Sequence, residues 1–171
     1  LLFVLADTRS LTPDAAAQRN REIVTNLEVA LTEEGLHRSE IQLVSRGDST
    51  LRGHGVVEPA VLERCFGPFA ATLHVPAFIE GGRTTVNGVH LLHGEPVHTT
   101  PFAKDRLFGF STSDLSQWLE QKSAGAICAA DVVKVSLEDL DQASAGGMIH
   151  LIQRLAALQG NAAVVVDAEH Q

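Results

Sequence analysis

The sequence has few cysteines, no long apolar run and a deficit of positive charge, and each shortage excludes a class of protein. Its two cysteines, Cys65 and Cys128, lie far apart without metal-type spacing, so we expect two reduced thiols and a cytoplasmic protein. No run approaches the roughly 18 apolar residues that a transmembrane helix needs. With 13 Lys and Arg against 21 Asp and Glu, the net charge of −8 argues against binding to nucleic acid or to an anionic membrane.

Several sequence signals are missing as well. The first ten residues, LLFVLADTRS, have no basic start and no small-residue cleavage site, so they do not form a signal peptide. The chain opens directly on an apolar run without an initiator methionine, and we interpret it as a piece of a longer protein. It contains no GxGxxG, GxxxxGK[ST], GxSxG or CxxC, so no nucleotide site of a recognisable kind is predicted here.

What the sequence does contain is an alternation of apolar runs with segments of helical periodicity. The runs predict strands over 1–6, 41–45, 69–78, part of 124–135 and 161–171, with helices over 12–35, 56–66, 112–122 and 136–160 and a polar loop over 79–88. Predicted N-caps are Thr12, Ser136 and either Ser111 or Ser113, and the pair Gly146–Gly147 is expected to interrupt the last helix. Residues 88–99 predict a β-hairpin whose turn lies at 93–96. We therefore expect one α/β domain over 1–171, an open, mostly parallel sheet with crossover helices plus a β-hairpin, in three layers.

Polar side chains follow four of the predicted strands, at the point where each strand ends. They lie in Asp7–Ser10, Arg46–Arg52 and Glu80–Arg83 and at Asp167. Because ligands of open α/β sheets bind beyond the carboxyl ends of the strands, we expect these side chains to converge on one site.

The segment SRGDSTLRGHG, residues 45–55, carries the densest set of candidate groups. Ser49 and Thr50 can donate to an oxyanion, and Arg52 offers a planar fork for a carboxylate or phosphate. Asp48 is the only acid in the segment, suited to accept from a substrate hydroxyl or to act as a general base. Gly53 permits a close approach to the backbone. The alternative interpretation is a polar turn in which Asp48 caps a helix.

Other candidates have simpler explanations. Gly82 and Arg83 form a flexible loop that presents a guanidinium, or an ordinary surface loop. Strand alternation separates the hairpin histidines 90, 93 and 98, so we expect surface histidines insensitive to pH rather than a metal site. Cys128 and Trp118 are expected in the core.

The motif DSTLRGH, followed by PAFIEGGRTTVNGVHLLHGEPVHTTPFAKD, resembles the N-terminal domain of the four-carbon acid sugar kinase family. That family has been described as a domain of unknown function and as an Hrp-dependent type III effector. Its pattern runs close to K-x-DSTLRGN, then PAFPE-x-GRT, then G-x-H-x-x-x-G-x-P-x-x-x-T-x-F-x-x-D. The resemblance extends over nearly the whole chain, including DTRSLTPDAAAQR and VVVDAEHQ.

The resemblance implies an ATP-dependent kinase of two α/β domains that phosphorylates sugar acids such as threonate, erythronate or 3-oxo-tetronate. This chain would hold the sugar acid, and its own C-terminal domain would bind most of the ATP and Mg²⁺. By position, the catalytic residue would be Asp48 and the substrate-binding residues would be Arg9, Ser49, Thr50, Arg52, Gly53, Glu80, Gly82 and Arg83. The resemblance supports only these locations; from their chemistry we expect Arg52 to hold the carboxylate and Asp48 to orient or deprotonate the hydroxyl.

Two differences between this sequence and the family pattern affect the activity we expect. The family's opening DD-x-TG-A segment and its C-terminal domain have no counterpart in these residues, so we expect no kinase activity from this chain alone. Ser45 stands where the family commonly has lysine, and Arg46 follows it. A non-catalytic module that binds sugar acids or carboxylates is the alternative function. The sequence leaves the oligomeric state open, a homo-oligomer included.

Overall fold

The computed structural model describes residues 1–170 and divides the chain into two compact units. The first unit comprises Leu1–Gly47 and Gly53–Pro68, and the second comprises Asp48–Arg52 together with the chain from Phe69 onward. The short Asp48–Arg52 segment therefore belongs to the second unit although both of its flanks belong to the first.

Two helices form the first unit, α1 (Pro13–Glu33) and α2 (Val57–Phe66). As the sequence predicts, Thr12 caps α1 by accepting a hydrogen bond from the Ala15 N–H at 3.3 Å, and Pro13 occupies the first turn. The two helices pack on each other through apolar side chains buried on both, namely Ala16, Val24 and Leu31 of α1 and Val61 and Phe66 of α2.

The strands predicted over 1–6 and 41–45 are wrong. Both segments are irregular, and the described residues of the first unit contain no strand at all. An apolar run becomes a strand only where a neighbouring strand takes up its backbone hydrogen bonds, and neither segment pairs with one. Leu1 to Leu5 are accordingly 57 to 113 % exposed, and Val44 is 78 % exposed.

A three-stranded parallel sheet lies at the centre of the second unit, in the order β1 (Ala71–His74), β6 (Ala162–Val166), β5 (Val133–Val135). Val164 and Val165 of the central strand are fully buried, as expected for a parallel strand covered on both faces. The predicted strand over 69–78 shortens to four residues and that within 124–135 to three. The prediction for the last strand ran to Gln171, which lies outside the described residues.

An antiparallel sheet of β2 (Arg83–Val86), β3 (Val89–Leu92) and β4 (Glu95–Pro96) completes the unit. The predicted turn at His93–Gly94 does join β3 to β4. The main hairpin, however, is β2–β3, turning at Asn87–Gly88 with φ of 53° and 75°. Asn-Gly is the strongest short hairpin signal, and the sequence prediction had assigned it to a loop.

Three helices follow the hairpin: α3 (Leu115–Lys122), α4 (Leu137–Gln142) and α5 (Met148–Ala156). Ser136 caps α4 as predicted, and Gly146 (φ 110°) interrupts the helix before α5. Asp114, rather than Ser111 or Ser113, caps α3. Trp118 is buried as expected, but Cys128 is exposed because it lies in an irregular segment before β5. The α/β class, with a parallel sheet, helices and a hairpin, is confirmed.

Candidate functional site

The Asp48–Arg52 segment, called the arginine loop below, is a tight turn held by its own side chains. The Asp48 carboxylate accepts hydrogen bonds from the Thr50 N–H at 2.7 Å and from the Thr50 hydroxyl. The Leu51 N–H donates to the Asp48 carbonyl at 3.1 Å, closing the turn. Leu51 has a left-handed φ of 63° and is buried, which anchors the loop in the second unit.

Arg52 is held in one orientation by three neighbours. Its Nε donates to the Thr50 hydroxyl at 2.9 Å, and its Nη2 donates to Asp48 Oδ2 at 3.0 Å. The guanidinium also stacks on the Phe102 ring, 4.6 Å from its centroid. A guanidinium has five N–H donors, so three of them make no hydrogen bond within residues 1–170. An oriented, partly exposed arginine with unused donors is suited to bind a planar anion.

His90 lies fully buried beneath the arginine loop. Its Nε2 is 2.7 Å from the Ser49 carbonyl oxygen, and its Nδ1 is 3.0 Å from the Thr85 hydroxyl. The prediction of a surface histidine is therefore wrong for this residue. Burial lowers the pKa of His90, and the nearby Arg83 charge lowers it further.

Arg83 follows a second loop, at the start of β2. Its backbone N–H and carbonyl exchange hydrogen bonds with Phe78 at 2.9 Å, and its guanidinium stacks over the Phe78 ring, 5.6 Å from the centroid. Nη1 donates to the Gly81 carbonyl at 2.7 Å, while the buried Nε makes no hydrogen bond in the described part of the chain. Because alternate residues of a strand share a face, Arg83 lies on the same face of β2 as Thr85, which pairs with His90 across the hairpin.

The second loop, residues 79–82, requires glycine at position 82. The φ of Gly82 is +70°, and a Cβ added there would collide with the imidazole of His93. The Gly82 carbonyl accepts a hydrogen bond from the His93 N–H at 2.7 Å, so the loop and the β3–β4 turn are in direct contact.

The remaining predicted residues fall outside this cluster or serve another purpose. Glu80 is exposed on the second loop, and Arg9 and Gly53 belong to the first unit. Asp167 is 3 % exposed, and its carboxylate accepts from the N–H groups of Asn87 and Gly88 at 2.8 Å each. It therefore ties the end of β6 to the hairpin turn and is a structural residue rather than a ligand-binding one.

Sequence reasoning missed the rings on which the arginines stack, Phe102 and Phe78, and the pair Thr85 and His90, which contacts the arginine loop through Ser49. A signal for two of them was present. Recognising the Asn87–Gly88 turn would have paired Thr85 with His90 directly across the hairpin, on one face. The stacking of Arg52 on Phe102 brings together residues 50 positions apart, and no local pattern predicts it.

Neither a metal site nor a membrane-spanning helix is found among residues 1–170. No group of three or more His, Cys, Asp or Glu side chains there could hold a metal ion. None of the helices is long and apolar enough to cross a membrane.

The second unit is an α/β fold in which Arg52 and Arg83 are each stacked on a phenylalanine ring. A family model described as a sugar-binding N-terminal domain matches residues 1–171. The chain belongs to this family of sugar-binding N-terminal domains, and the resemblance to the four-carbon acid sugar kinases is confirmed.

Individual relatives agree with this assignment. D-Threonate kinase from Cupriavidus necator is 30 % identical over 164 residues, which are 95 % of this chain and 34 % of the relative. A crystal structure of a domain of unknown function from Bordetella bronchiseptica, a domain-swapped dimer with bound citrate, shares 26 % identity. It superposes with a TM-score of 0.68, covering 96 % of this chain and 35 % of that one.

A Haemophilus influenzae protein shows the fold alone, at 17 % identity and a TM-score of 0.70, over 95 % of this chain and 37 % of that one. The chain thus spans about a third of the length of each relative it matches.

Proposed function

We propose that the chain is the acceptor-binding domain of an ATP-dependent kinase for four-carbon sugar acids of the threonate, erythronate or 3-oxo-tetronate type. The observation that supports this most is the geometry of Arg52, whose guanidinium is oriented by Asp48, Thr50 and Phe102 while three of its donors make no hydrogen bond in residues 1–170. Such a fork matches the two oxygens of a carboxylate. The D-threonate kinase relative and the citrate bound to the Bordetella protein support the same ligand class.

The second arginine supports a ligand with more than one polar group. Arg83 carries a buried Nε without a hydrogen bond in the described residues, and it shares a face of the hairpin with His90, which contacts the Ser49 carbonyl. We propose that Arg52 binds the carboxylate and that Arg83, with Gly82 and Glu80, contacts the hydroxyl-bearing end. Ser49 and Thr50 contribute polar groups from the loop itself. The assignment of Arg9 and Gly53 as substrate-binding residues stays a prediction from the resemblance.

Asp48 has a defined task in this proposal. Its carboxylate orients Arg52 and Thr50, and its position beside the carboxylate-binding guanidinium suits it to orient or deprotonate the acceptor hydroxyl. Phosphoryl transfer depends mainly on positioning and charge neutralisation, and the described residues supply the positioning of the acceptor. ATP and Mg²⁺ are proposed to bind mainly to a C-terminal domain, as the resemblance to the kinase family implies.

A kinase assay tests the proposal. The full-length protein that carries this domain is expected to consume ATP with D-threonate or D-erythronate, and the 171-residue chain alone is expected to be inactive. Turnover by the chain alone would contradict the proposal that the acceptor and ATP bind to separate domains. Binding of sugar acids by the full-length protein without any turnover would favour a non-catalytic carboxylate-binding module instead. Sedimentation of the same sample decides whether a homo-oligomer forms, as the dimer of the Bordetella relative suggests.

A further inference from the structure

We propose that His90 is a positioning residue, which fixes the position of the arginine loop relative to β3 by donating a hydrogen bond to the Ser49 carbonyl. This inference rests on the proposed function of the loop. His90 lies on β3, 41 positions from Ser49 in sequence, and it is fully buried. The 2.7 Å contact joins the strand to the residue between Asp48 and Thr50, the two residues that orient Arg52.

The tautomer of His90 follows from its partners. A carbonyl oxygen only accepts, so the hydrogen lies on Nε2. The unprotonated Nδ1 is then an acceptor, and the Thr85 hydroxyl donates to it at 3.0 Å. Thr85 is itself fixed, because its backbone exchanges hydrogen bonds of 2.8 and 2.9 Å with Ala168. The chain Ala168–Thr85–His90–Ser49 thus connects the end of the parallel sheet to the arginine loop.

The environment keeps the imidazole in this neutral form. Burial lowers the pKa of His90 and outweighs the backbone hydrogen bonds of Ser49 and Thr84, which raise it, while the Arg83 charge adds to the lowering; the ring is therefore neutral at neutral pH. The imidazole is therefore not a general base for the acceptor: its accepting nitrogen faces Thr85, and its donor faces the backbone of the loop. Its effect on a ligand passes through the position of Arg52.

Two variants of the full-length protein separate positioning from mere packing. His90→Gln places an amide N–H near the position of Nε2 and retains a donor for the Ser49 carbonyl, whereas His90→Phe keeps the ring shape without a donor. Losing this hydrogen bond is expected to raise the KM for D-threonate about tenfold in His90→Phe, with kcat changing less than KM. His90→Gln is expected to restore most of that loss. His98→Phe, an exposed histidine of the same unit, is the matched control and should leave KM unchanged.

A second readout does not depend on any substrate. Hydrogen–deuterium exchange of the peptide that contains Thr50 and Leu51 is expected to be about tenfold faster in His90→Phe and close to the wild type in His90→Gln. If His90→Phe does not fold, Thr85→Val, which removes the donor to Nδ1, is expected to accelerate the same exchange. A wild-type protein that neither binds nor turns over D-threonate, with these exchange differences intact, would refute the proposed function but not the anchoring by His90. Wild-type exchange in His90→Phe, or equal KM values in His90→Phe and His90→Gln, would overturn the assignment.

Discussion

Replacing Asp48 by asparagine tests whether the arginine loop depends on the carboxylate that holds it together. In the native loop, Oδ1 accepts from the Thr50 N–H at 2.7 Å and from the Thr50 hydroxyl, while Oδ2 accepts from Arg52 at 3.0 Å. The single oxygen of an asparagine would take the place of Oδ1, since two donors point at it. The amide NH₂ would then face the guanidinium, and donor would meet donor.

The expected loss of unfolding free energy in Asp48→Asn follows from these contacts. Hydrogen bonds to charged groups contribute about 1.5–3 kcal/mol, and partial exposure of the pair places this one at about 2 kcal/mol. The side chains of Arg52 and Asp48 are 21 % and 14 % exposed, so solvent screens the interaction only in part. For a domain of this size, about 2 kcal/mol corresponds to a decrease in Tm of about 4–8 °C.

Thermal unfolding followed by calorimetry measures this change, and calorimetric titration with D-threonate measures the affinity. Since Arg52 is no longer oriented in Asp48→Asn, we expect the affinity to fall about tenfold or more, equivalent to about 1.4 kcal/mol. Asp141→Asn, which removes an exposed carboxylate on α4, is the control and should change neither quantity. A Tm of Asp48→Asn within about 1 °C of the wild type would refute the energetic reasoning.

Three further predictions concern the second unit. Burial lowers the pKa of His74 to about 4 in the native state, whereas the unfolded chain binds this proton near pH 6.5. The native state therefore loses stability as pH falls from about 6.5 to about 4, by at most about 3 kcal/mol. His74→Gln should show a weaker pH dependence of the urea unfolding midpoint than the wild type, and identical pH profiles would contradict this. Asp167→Asn should cost about 2–3 kcal/mol, measured by urea unfolding, because the N–H groups of Asn87 and Gly88 point at different oxygens and the amide NH₂ that replaces one oxygen would face an N–H donor. Gly82→Ala should destabilise more than Gly94→Ala, since both have positive φ but only the first Cβ would meet a neighbour; equal unfolding midpoints would refute the collision.

Local chemistry made much of the helical structure predictable. Thr12 and Ser136 are N-caps in the sequence and in the structure, because a cap needs only a side-chain oxygen and a nearby N–H. The interruption at Gly146 was predictable for the same reason, since glycine readily adopts the φ of 110° found there. The arginine loop was also singled out from its residue types alone.

Features that depend on distant partners were not predictable. The apolar run at 1–6 has the composition of a strand, but pairing decides whether a strand forms, and composition does not report pairing. His90 was expected at the surface, whereas its burial depends on contacts with Thr85 across the hairpin and with Ser49 far along the chain. The role of Phe102 as the surface on which Arg52 stacks arises in the same way from tertiary structure.

The central claim is that Arg52 of the arginine loop binds the carboxylate of a four-carbon sugar acid. Calorimetric titration of the full-length protein with D-threonate and with threitol, its neutral polyol counterpart, tests this most directly. We expect binding of D-threonate, no detectable binding of threitol, and loss of D-threonate binding in Arg52→Ala with the fold retained. Equal affinity for the acid and the polyol, or unchanged D-threonate binding in Arg52→Ala, would contradict it.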